Sequence, residues 1–235
     1  MRLAVISDLH LGRRDLVDHF GHDDESFVRF LRFLEGAFDR IVLLGDIYET
    51  LTSRIPQQQR AELQAARDAH PAIVRRFERP QYLYVHGNHD LVAGQALRAP
   101  EELAIEADGV RLLFTHGHRH DWIIRRVRHL SEWGVWAGAW LRRIGMHGVF
   151  RTFDRLDQRL RGASPDPSAC TFQRWAMSLG QQRSADIVVT GHTHIGGLAH
   201  HGQRMFLNSG TCSEGKFSFL AIDTKRGDYG LHHSW

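Results

Sequence analysis

Carboxylate, imidazole and amide side chains recur in five short segments of this 235-residue chain. Each segment follows an apolar run, at the point where a buried strand would end. Ligands of these types, in a set that contains no cysteine, suit Mn²⁺, Fe²⁺ or Zn²⁺. A fold that gathers them would build a hydrolytic metal site. The segments are Asp8-x-His10, Gly45-Asp46, Gly87-Asn88-His89-Asp90, His116 and Gly191-His192-Thr193-His194.

The ligand types are sufficient for two divalent ions, which lie about 3.5–4 Å apart in such sites and share a bridging carboxylate. Asp46 is the natural bridge. The other six ligands divide into two sets, which are Asp8, His10 and His194 for one ion and Asn88, His116 and His192 for the other. The excess positive charge would attract phosphate oxygens, and a metal-activated water would be the nucleophile.

Two further residues are predicted to act in catalysis. His89 follows the ligand Asn88, and it would donate a proton to the leaving oxygen or bind a phosphoryl oxygen. Asn88 and His89 are therefore also predicted to contact the substrate. Glu49, three residues after Asp46, would orient His89 as a carboxylate holds an imidazole. Asp90 is predicted to be a structural hydrogen-bond acceptor behind the same loop.

The first half of the chain predicts a parallel α/β sheet. Apolar runs at Leu3–Ser7, Ile41–Leu44 and Tyr82–Val85 read as buried strands, and helices are predicted over Glu25–Phe38 and Gln57–Phe77. Functional groups gather at the carboxyl ends of the strands in such sheets. This placement would bring the metal-binding segments together.

The second half predicts a further sheet. Asp108-Gly109 is a hairpin signal between two strands, and Gly202 and Gly227 are predicted turn residues. The predicted strands are Leu103–Ala107, Val110–Phe114, Ile187–Thr190, Met205–Leu207 and Phe217–Ile222. We therefore expect an α/β fold of two packed sheets with helices outside. Residues 1–235 would form a single domain that contains a helical insertion, or lid, over residues 120–182.

Composition is typical of a globular protein, with 42% apolar and 24% charged residues. Two cysteines do not make a disulfide framework for this length, so a reducing compartment is expected. No apolar run reaches the roughly 20 residues of a membrane span. The strand that starts beside Met1 leaves no room for a signal peptide. These observations predict a cytoplasmic protein. Peripheral contact with the inner face of the membrane is a further expectation.

The insertion is strongly basic. Between Trp122 and Gly162 it carries nine arginines against three acidic residues, a local charge of about +6. Tryptophans and aliphatic residues are interleaved with the arginines. An apolar inner face with basic flanks predicts an anionic, acylated small-molecule substrate. The predicted substrate-binding residues here are Arg125, Arg126, Trp136 and Trp140.

Three alternatives stay open. The arginines could be a solvated face over an apolar face that only packs against the body. The basic stretch could follow a nucleic-acid backbone while its tryptophans stack on bases, as in a phosphodiesterase or nuclease. The chain could also be a non-catalytic metal-binding scaffold, although all seven ligands and His89 are present.

The ordered motifs from Asp8 to His194 resemble those of the calcineurin-like metallophosphoesterase family. The resemblance implies a four-layer sandwich of two mixed β-sheets between helices. It also implies a dinuclear centre of Mn²⁺, with Fe or Zn²⁺ as alternatives, that hydrolyses phosphomonoesters, phosphodiesters or pyrophosphates. The ligand assignments above match the family motif. Glu49 departs from it, because many members have aspartate there.

One branch of that family resembles this chain further. Ser7-Asp8-Leu9-His10-Leu11, Gly45-Asp46-Ile47-Tyr48-Glu49 and the insertion are similar to the bacterial UDP-2,3-diacylglucosamine hydrolases. Those enzymes cleave a lipid-linked nucleotide pyrophosphate in lipid A synthesis, and they commonly have arginine where this chain has His89. The resemblance implies a pyrophosphatase that acts on a substrate such as UDP-2,3-diacylglucosamine.

Overall fold

Two mixed five-stranded sheets form the centre of the computed structural model, as the sequence predicts. The structure describes residues 1–53, 55, 58–120, 134–140 and 170–235. In the first sheet the strand order is β10-β9-β1-β2-β3. Strands β1, β2 and β3 are parallel, and β9 and β10 are antiparallel to their neighbours. The bounds are Arg2–Ile6 (β1), Arg40–Leu44 (β2), Tyr82–Val85 (β3), Phe219–Asp223 (β9) and Asp228–His232 (β10).

The second sheet has the order β4-β5-β6-β8-β7, with β5, β6 and β8 parallel. Its bounds are Glu102–Ala107 (β4), Val110–Thr115 (β5), Ile187–Thr190 (β6), Gly197–His201 (β7) and Arg204–Asn208 (β8). The predicted β4–β5 hairpin is confirmed. Asp108 and Gly109 both have positive φ, 52° and 80°, which is the turn geometry that matches strand twist.

Helices cover the outer faces of both sheets. They are α1 (Asp24–Ala37), α2 (Gln59–Ala69), α3 (Pro71–Phe77), α4 (Leu91–Ala96) and α5 (Thr171–Gln182), with a short 3₁₀ helix at His118–His120. Phe27 and Phe30 of α1 share one core with Ile41 of β2, on the outer face of the first sheet. Phe172 and Ala176 of α5 belong to another core, on the outer face of the second.

An apolar core lies between the two sheets. Val5 and Val42 from the first sheet lie in one cluster with Phe114, Val189 and Leu207 from the second. These residues come from strands whose side chains are buried on both faces, which explains the continuous apolar runs in the sequence. The predicted four-layer α/β sandwich is therefore confirmed.

The predicted helix over Gln57–Phe77 is wrong in one respect. The structure has two helices, α2 and α3, that are separated at His70. Pro71 explains the break, because proline lacks a backbone N–H and disfavours helical geometry in the residue before it. Strands β7 and β10 and helix α4 are also absent from the sequence prediction.

The insertion is described only in part. Residues 134–140 are helical, and α5 forms its last part. Arg125 and Arg126 lie outside the described residues, so their predicted role is untested, and the single-domain interpretation likewise stays a prediction. Among the helices that the structure describes, none is both long and apolar enough to cross a bilayer.

Candidate metal centre

The seven predicted ligands converge at the carboxyl ends of the central parallel strands. Asp8 and His10 follow β1, Asp46 follows β2 and Asn88 follows β3, while His116 follows β5 and His192 and His194 follow β6. All but His194 are buried. The two sheets thus contribute ligands from opposite sides of one site.

Five of the ligands have a left-handed backbone conformation. The φ angles are 53° for Asp8, 50° for His10, 50° for Asp46, 68° for His192 and 59° for His194. Non-glycine residues rarely adopt this conformation, and it persists where surrounding contacts enforce it. Here neighbouring loops hold each other, because Asp8 N donates to Gly45 O and His10 N donates to Asp46 O, both at 3.0 Å.

Glycines before the ligands permit this close packing. A Cβ atom on Gly87 would lie 2.2 Å from Asp46 Oδ1 and 2.6 Å from Asp46 N. A Cβ atom on Gly191 would lie 2.8 Å from Asp8 Oδ2. Such separations are shorter than van der Waals contact, so a side chain at either position would displace the aspartate. The glycines of the sequence motifs therefore allow one ligand loop to pack closely against another.

The ligand atoms form two compact groups. Each group has its atoms within 4.8 Å of one another, and the groups are Asp8, His10 and His194, and Asp46, His116 and His192. His194 Nε2 lies 3.1 Å from Asp8 Oδ1, and His116 Nε2 lies 3.1 Å from Asp46 Oδ2. His116 Nε2 is also 3.9 Å from Asp8 Oδ1, which joins the two groups. The first group has the same members as one predicted set, whereas the second contains Asp46, the predicted bridge, together with His116 and His192. The bridging role of Asp46 and the assignment of Asn88 to the second ion stay predictions.

Buried polar atoms show that the residues fit divalent cations. Within the described part of the chain, Asp8 Oδ1, His10 Nε2, Asn88 Oδ1 and His116 Nε2 are buried and have no hydrogen-bond partner. Buried polar atoms are normally satisfied, and two divalent ions bound in the predicted division would satisfy all four. The mixed nitrogen and oxygen donors suit first-row transition metals.

The imidazole rings are already oriented. His116 Nδ1 lies 2.9 Å from the carbonyl oxygen of Leu44, so Nδ1–H donates there and Nε2 is directed at the aspartates. His10 Nδ1 lies 3.2 Å from Glu49 Oε2, which likewise directs Nε2 of that ring away. A hydrogen bond on the other ring nitrogen is the usual way in which proteins prepare a metal-binding histidine.

The electrostatics of the site reflect its paired charges. Burial lowers the pKa of His116, but the carboxylates of Asp46 and Asp8 outweigh it and raise that pKa to about 9. Burial raises the pKa of Asp46, yet the charges of His116 and His89 hold it well below its usual range. A cation at this position would replace the imidazole proton as the partner of the carboxylates.

Glu49 is placed to orient two histidines at once. Its Oε2 lies 2.8 Å from His89 Nδ1 and 3.2 Å from His10 Nδ1, and its Oε1 accepts from Leu51 N at 2.8 Å. Burial raises the pKa of Glu49, but the charge on His89 and hydrogen bonding to His10 bring it far below the usual value. One ionised carboxylate thus links a predicted metal ligand to the predicted acid.

A test of this link is Glu49→Gln. The amide keeps the shape but loses the charge that accepts both N–H groups, so we expect metal affinity to fall about 10–100-fold, the usual effect of losing such a partner. Titration with Mn²⁺ in competition with a chelator measures the affinity. Glu106→Gln, on the exposed side of β4, is the matched control. Unchanged affinity in Glu49→Gln would mean that His10 needs no orienting carboxylate.

Comparison with protein families gives the decisive observation. Residues 1–134 match the model of the calcineurin-like phosphoesterase superfamily domain, which is more than half of the chain. The chain belongs to this superfamily. Its members bind divalent metals, in agreement with the two ligand groups. A comparison with curated proteins found no match.

Solved structures with this superfamily fold cover almost the whole chain. Vps29 from Entamoeba histolytica, complexed with Zn²⁺, has a TM-score of 0.50 and 17% identity over 99% of this chain and 97% of that one. An archaeal phosphodiesterase has a TM-score of 0.48 and 14% identity, covering 99% of both chains. YfcE, a phosphoesterase from E. coli, has a TM-score of 0.45 and 15% identity, and the match covers 99% of both chains. At 17% identity the likeness to Vps29 shows the fold alone.

Two residues that are not predicted ligands hold the ligand loops of the candidate site in place. Asp90 is a structural acceptor, since its carboxylate accepts from Gly87 N at 2.6 Å and from Ile47 N at 2.8 Å. Asn208, which sequence reasoning missed, donates through Nδ2 to Gly191 O at 2.8 Å and so holds the loop of His192. The available signal was an Asn-Ser-Gly segment directly after the apolar run of β8.

Other sequence expectations have different outcomes. His22, for which no role is predicted above, is partly buried, with Nε2 3.0 Å from the carbonyl oxygen of Cys212 and its ring packed against Phe217. Trp136 is partly buried and Trp140 is half exposed, both in the helical segment 134–140. Their role in substrate binding remains a prediction.

Proposed function

We propose that this chain is a metal-dependent phosphohydrolase that holds two divalent ions, with Mn²⁺ as the first choice and Fe or Zn²⁺ as alternatives. The observation that carries the proposal is the convergence of buried, unsatisfied ligand atoms from both sheets beside His89. A scaffold that only packed its core would have no reason to bury such atoms. The family membership agrees with this activity.

The protein residues have separate roles in the reaction. When bound, two divalent ions supply positive charge for the phosphoryl oxygens and lower the pKa of a water nucleophile. In the imidazolium form of His89, Nδ1–H donates to the carboxylate of Glu49, and Nε2–H supplies the proton that is delivered to the leaving oxygen. The backbone N–H of His89 donates to Asp46 Oδ1 at 2.8 Å. The acid and the bridging ligand therefore keep a fixed relation to each other.

For the substrate we propose a lipid-linked nucleotide such as UDP-2,3-diacylglucosamine, cleaved at its pyrophosphate. Support comes from the sequence of the basic, tryptophan-bearing insertion and from the motif resemblance described above. Arg125 and Arg126 would bind phosphate, and Trp136 and Trp140 would contact acyl chains. Such a substrate would bring a cytoplasmic protein to the inner membrane face as a peripheral partner.

The testing experiment measures hydrolysis with added Mn²⁺, and with chelator as the metal-free control. Four substrates are compared: bis(4-nitrophenyl) phosphate, UDP-2,3-diacylglucosamine, its deacylated form and a single-stranded oligonucleotide. We expect cleavage of the chromogenic diester and a strong preference for the acylated nucleotide over the deacylated one. Chelator should abolish both activities.

Each other outcome has a definite meaning. Cleavage of the oligonucleotide alone would refute the lipid substrate and indicate that the basic stretch binds a nucleic-acid backbone. Inactivity on all four substrates with metal bound would favour the scaffold alternative. Shortening the insertion should spare the chromogenic diester while abolishing lipid turnover, and equal loss of both would contradict an acyl-binding lid.

A further inference from the structure

A groove of about 550 Å³ opens beside the metal centre, and the reaction described above does not use it. Its lining comes from the loop after β6, the loop between β8 and β9, and residues 233–235. The residues that matter are His194, Thr211, Lys216, Phe217 and Trp235. A volume of this size suits a small organic ligand.

The groove is continuous with the first ligand group. His194 is the most exposed of the seven ligands, with 35% of its side chain accessible, and its Nε2 is 3.1 Å from the buried Asp8 Oδ1. Thr211 donates through Oγ1 to the carbonyl oxygen of Asp8 at 3.0 Å. A ligand whose phosphate lies at the metal centre would therefore find the groove directly next to that phosphate.

One wall of the groove is aromatic and firmly supported. Phe217 packs against His22 with ring centroids 4.5 Å apart and against Phe30 at 5.2 Å. Trp235 lies edge-to-face with Phe217 at 5.8 Å and 70°, and 46% of its surface is exposed. A half-exposed indole beside polar groups is an amphipathic surface, on which a planar ring can stack.

The charge of the groove favours an anionic ligand. Among the described residues of its lining, Lys216 supplies a positive charge, and its side chain is 62% exposed. Its ion pair with Glu214 is 3.4 Å long and equally exposed, so it offers little competition for an incoming anion. Thr211 and Ser218 add hydroxyl groups to a lining that also contains the aromatic rings of Phe217 and Trp235.

We infer that this groove is a base-binding subsite, which stacks the nucleobase of a nucleotide on Trp235 while its phosphate lies at the metal centre. The inference rests on the proposed function, because the phosphate is what brings the ligand to the site. A base fits better than an acyl chain, since the wall is aromatic and the remaining lining is polar. Stacking on an aromatic side chain accepts any base.

The test is equilibrium binding of two probes to the Mn²⁺-loaded protein by calorimetry. Adenosine 5′-phosphate and ribose 5-phosphate share their sugar and phosphate and differ only in the base. We expect adenosine 5′-phosphate to bind about 10-fold more tightly, within the range found for one stacked base. Trp235→Ala should remove this difference and leave ribose 5-phosphate binding unchanged, whereas Trp235→Phe should keep much of it.

Leu198→Ala, on the exposed face of β7, is the matched control and should behave like the parent protein. Equal affinity of the two probes in the parent protein would overturn the subsite and leave the phosphohydrolase proposal standing. Failure of both probes to bind would overturn the subsite together with the phosphate-binding centre. If Leu198→Ala removed the difference in affinity between the two probes as fully as Trp235→Ala does, the assignment of the base to Trp235 would also be refuted.

Discussion

Replacing His89 with alanine should lower kcat by about 10²–10⁴-fold, the usual contribution of a general acid, while both divalent ions remain bound. The reason is geometric. His89 Nδ1 bonds the buried carboxylate of Glu49, so the ring supplies a proton without being one of the predicted ligands. Elemental analysis of the variant, together with its kcat on bis(4-nitrophenyl) phosphate, checks both parts of the prediction.

The control for His89→Ala is His200→Ala, which removes an exposed imidazole from β7. It should leave the rate and the metal content unchanged. Turnover of His89→Ala close to that of the parent would remove His89 from the mechanism. Loss of a metal ion in this variant would instead make His89 part of the metal site.

The second large effect is expected for Asp46→Ala. Asp46 is fully buried, lies 3.1 Å from His116 Nε2 and also accepts from the backbone of His89. Without this carboxylate the second ligand group loses its anion, and the two predicted ions lose their predicted bridge. We expect the metal content to fall from two ions to one or fewer. The value of kcat/KM should fall by more than about 10³-fold. The reason is that the two ions together stabilise the charge of the transition state, and this stabilisation is lost with the paired centre.

Asp228→Ala changes an exposed aspartate on β10 and serves as the control for Asp46→Ala. Asp46→Asn keeps the side-chain volume and separates loss of the charge from loss of packing. Circular dichroism establishes whether each variant is folded. Two bound ions in folded Asp46→Ala would contradict the bridging role.

Local sequence signals were sufficient for much of the fold. The strands Tyr82–Val85 and Ile187–Thr190 were predicted with the observed bounds, because both are continuous apolar runs. For Ile187–Thr190 the reason is that all four residues are buried. Asp108-Gly109 predicted its hairpin because both residues accept positive φ. Strands β7 and β10 escaped prediction, since they are partly exposed and rich in glycine and histidine.

The residue types of the candidate site were likewise evident from the sequence. Polar residues placed after apolar runs are expected at the carboxyl edge of a sheet, and all seven ligands lie there. The left-handed backbone conformation of five of these ligands was not predictable. An aspartate or histidine in a loop does not prefer this conformation strongly enough for the sequence to indicate it. That conformation depends on bonds between loops, such as Asp8 N to Gly45 O.

The residue types and their positions indicate which chemistry is available: carboxylate, imidazole and amide ligands at strand ends, with His89 and Glu49 beside them. How these groups act together depends on the tertiary structure. It placed one oxygen of Glu49 against both His10 and His89, and it set Trp235 in a groove beside His194. These contacts join residues far apart in the chain. The contacts of Glu49 depend on the pairing of β1, β2 and β3 in one sheet, and the place of Trp235 beside His194 depends on how the two sheets pack, neither of which a local pattern encodes.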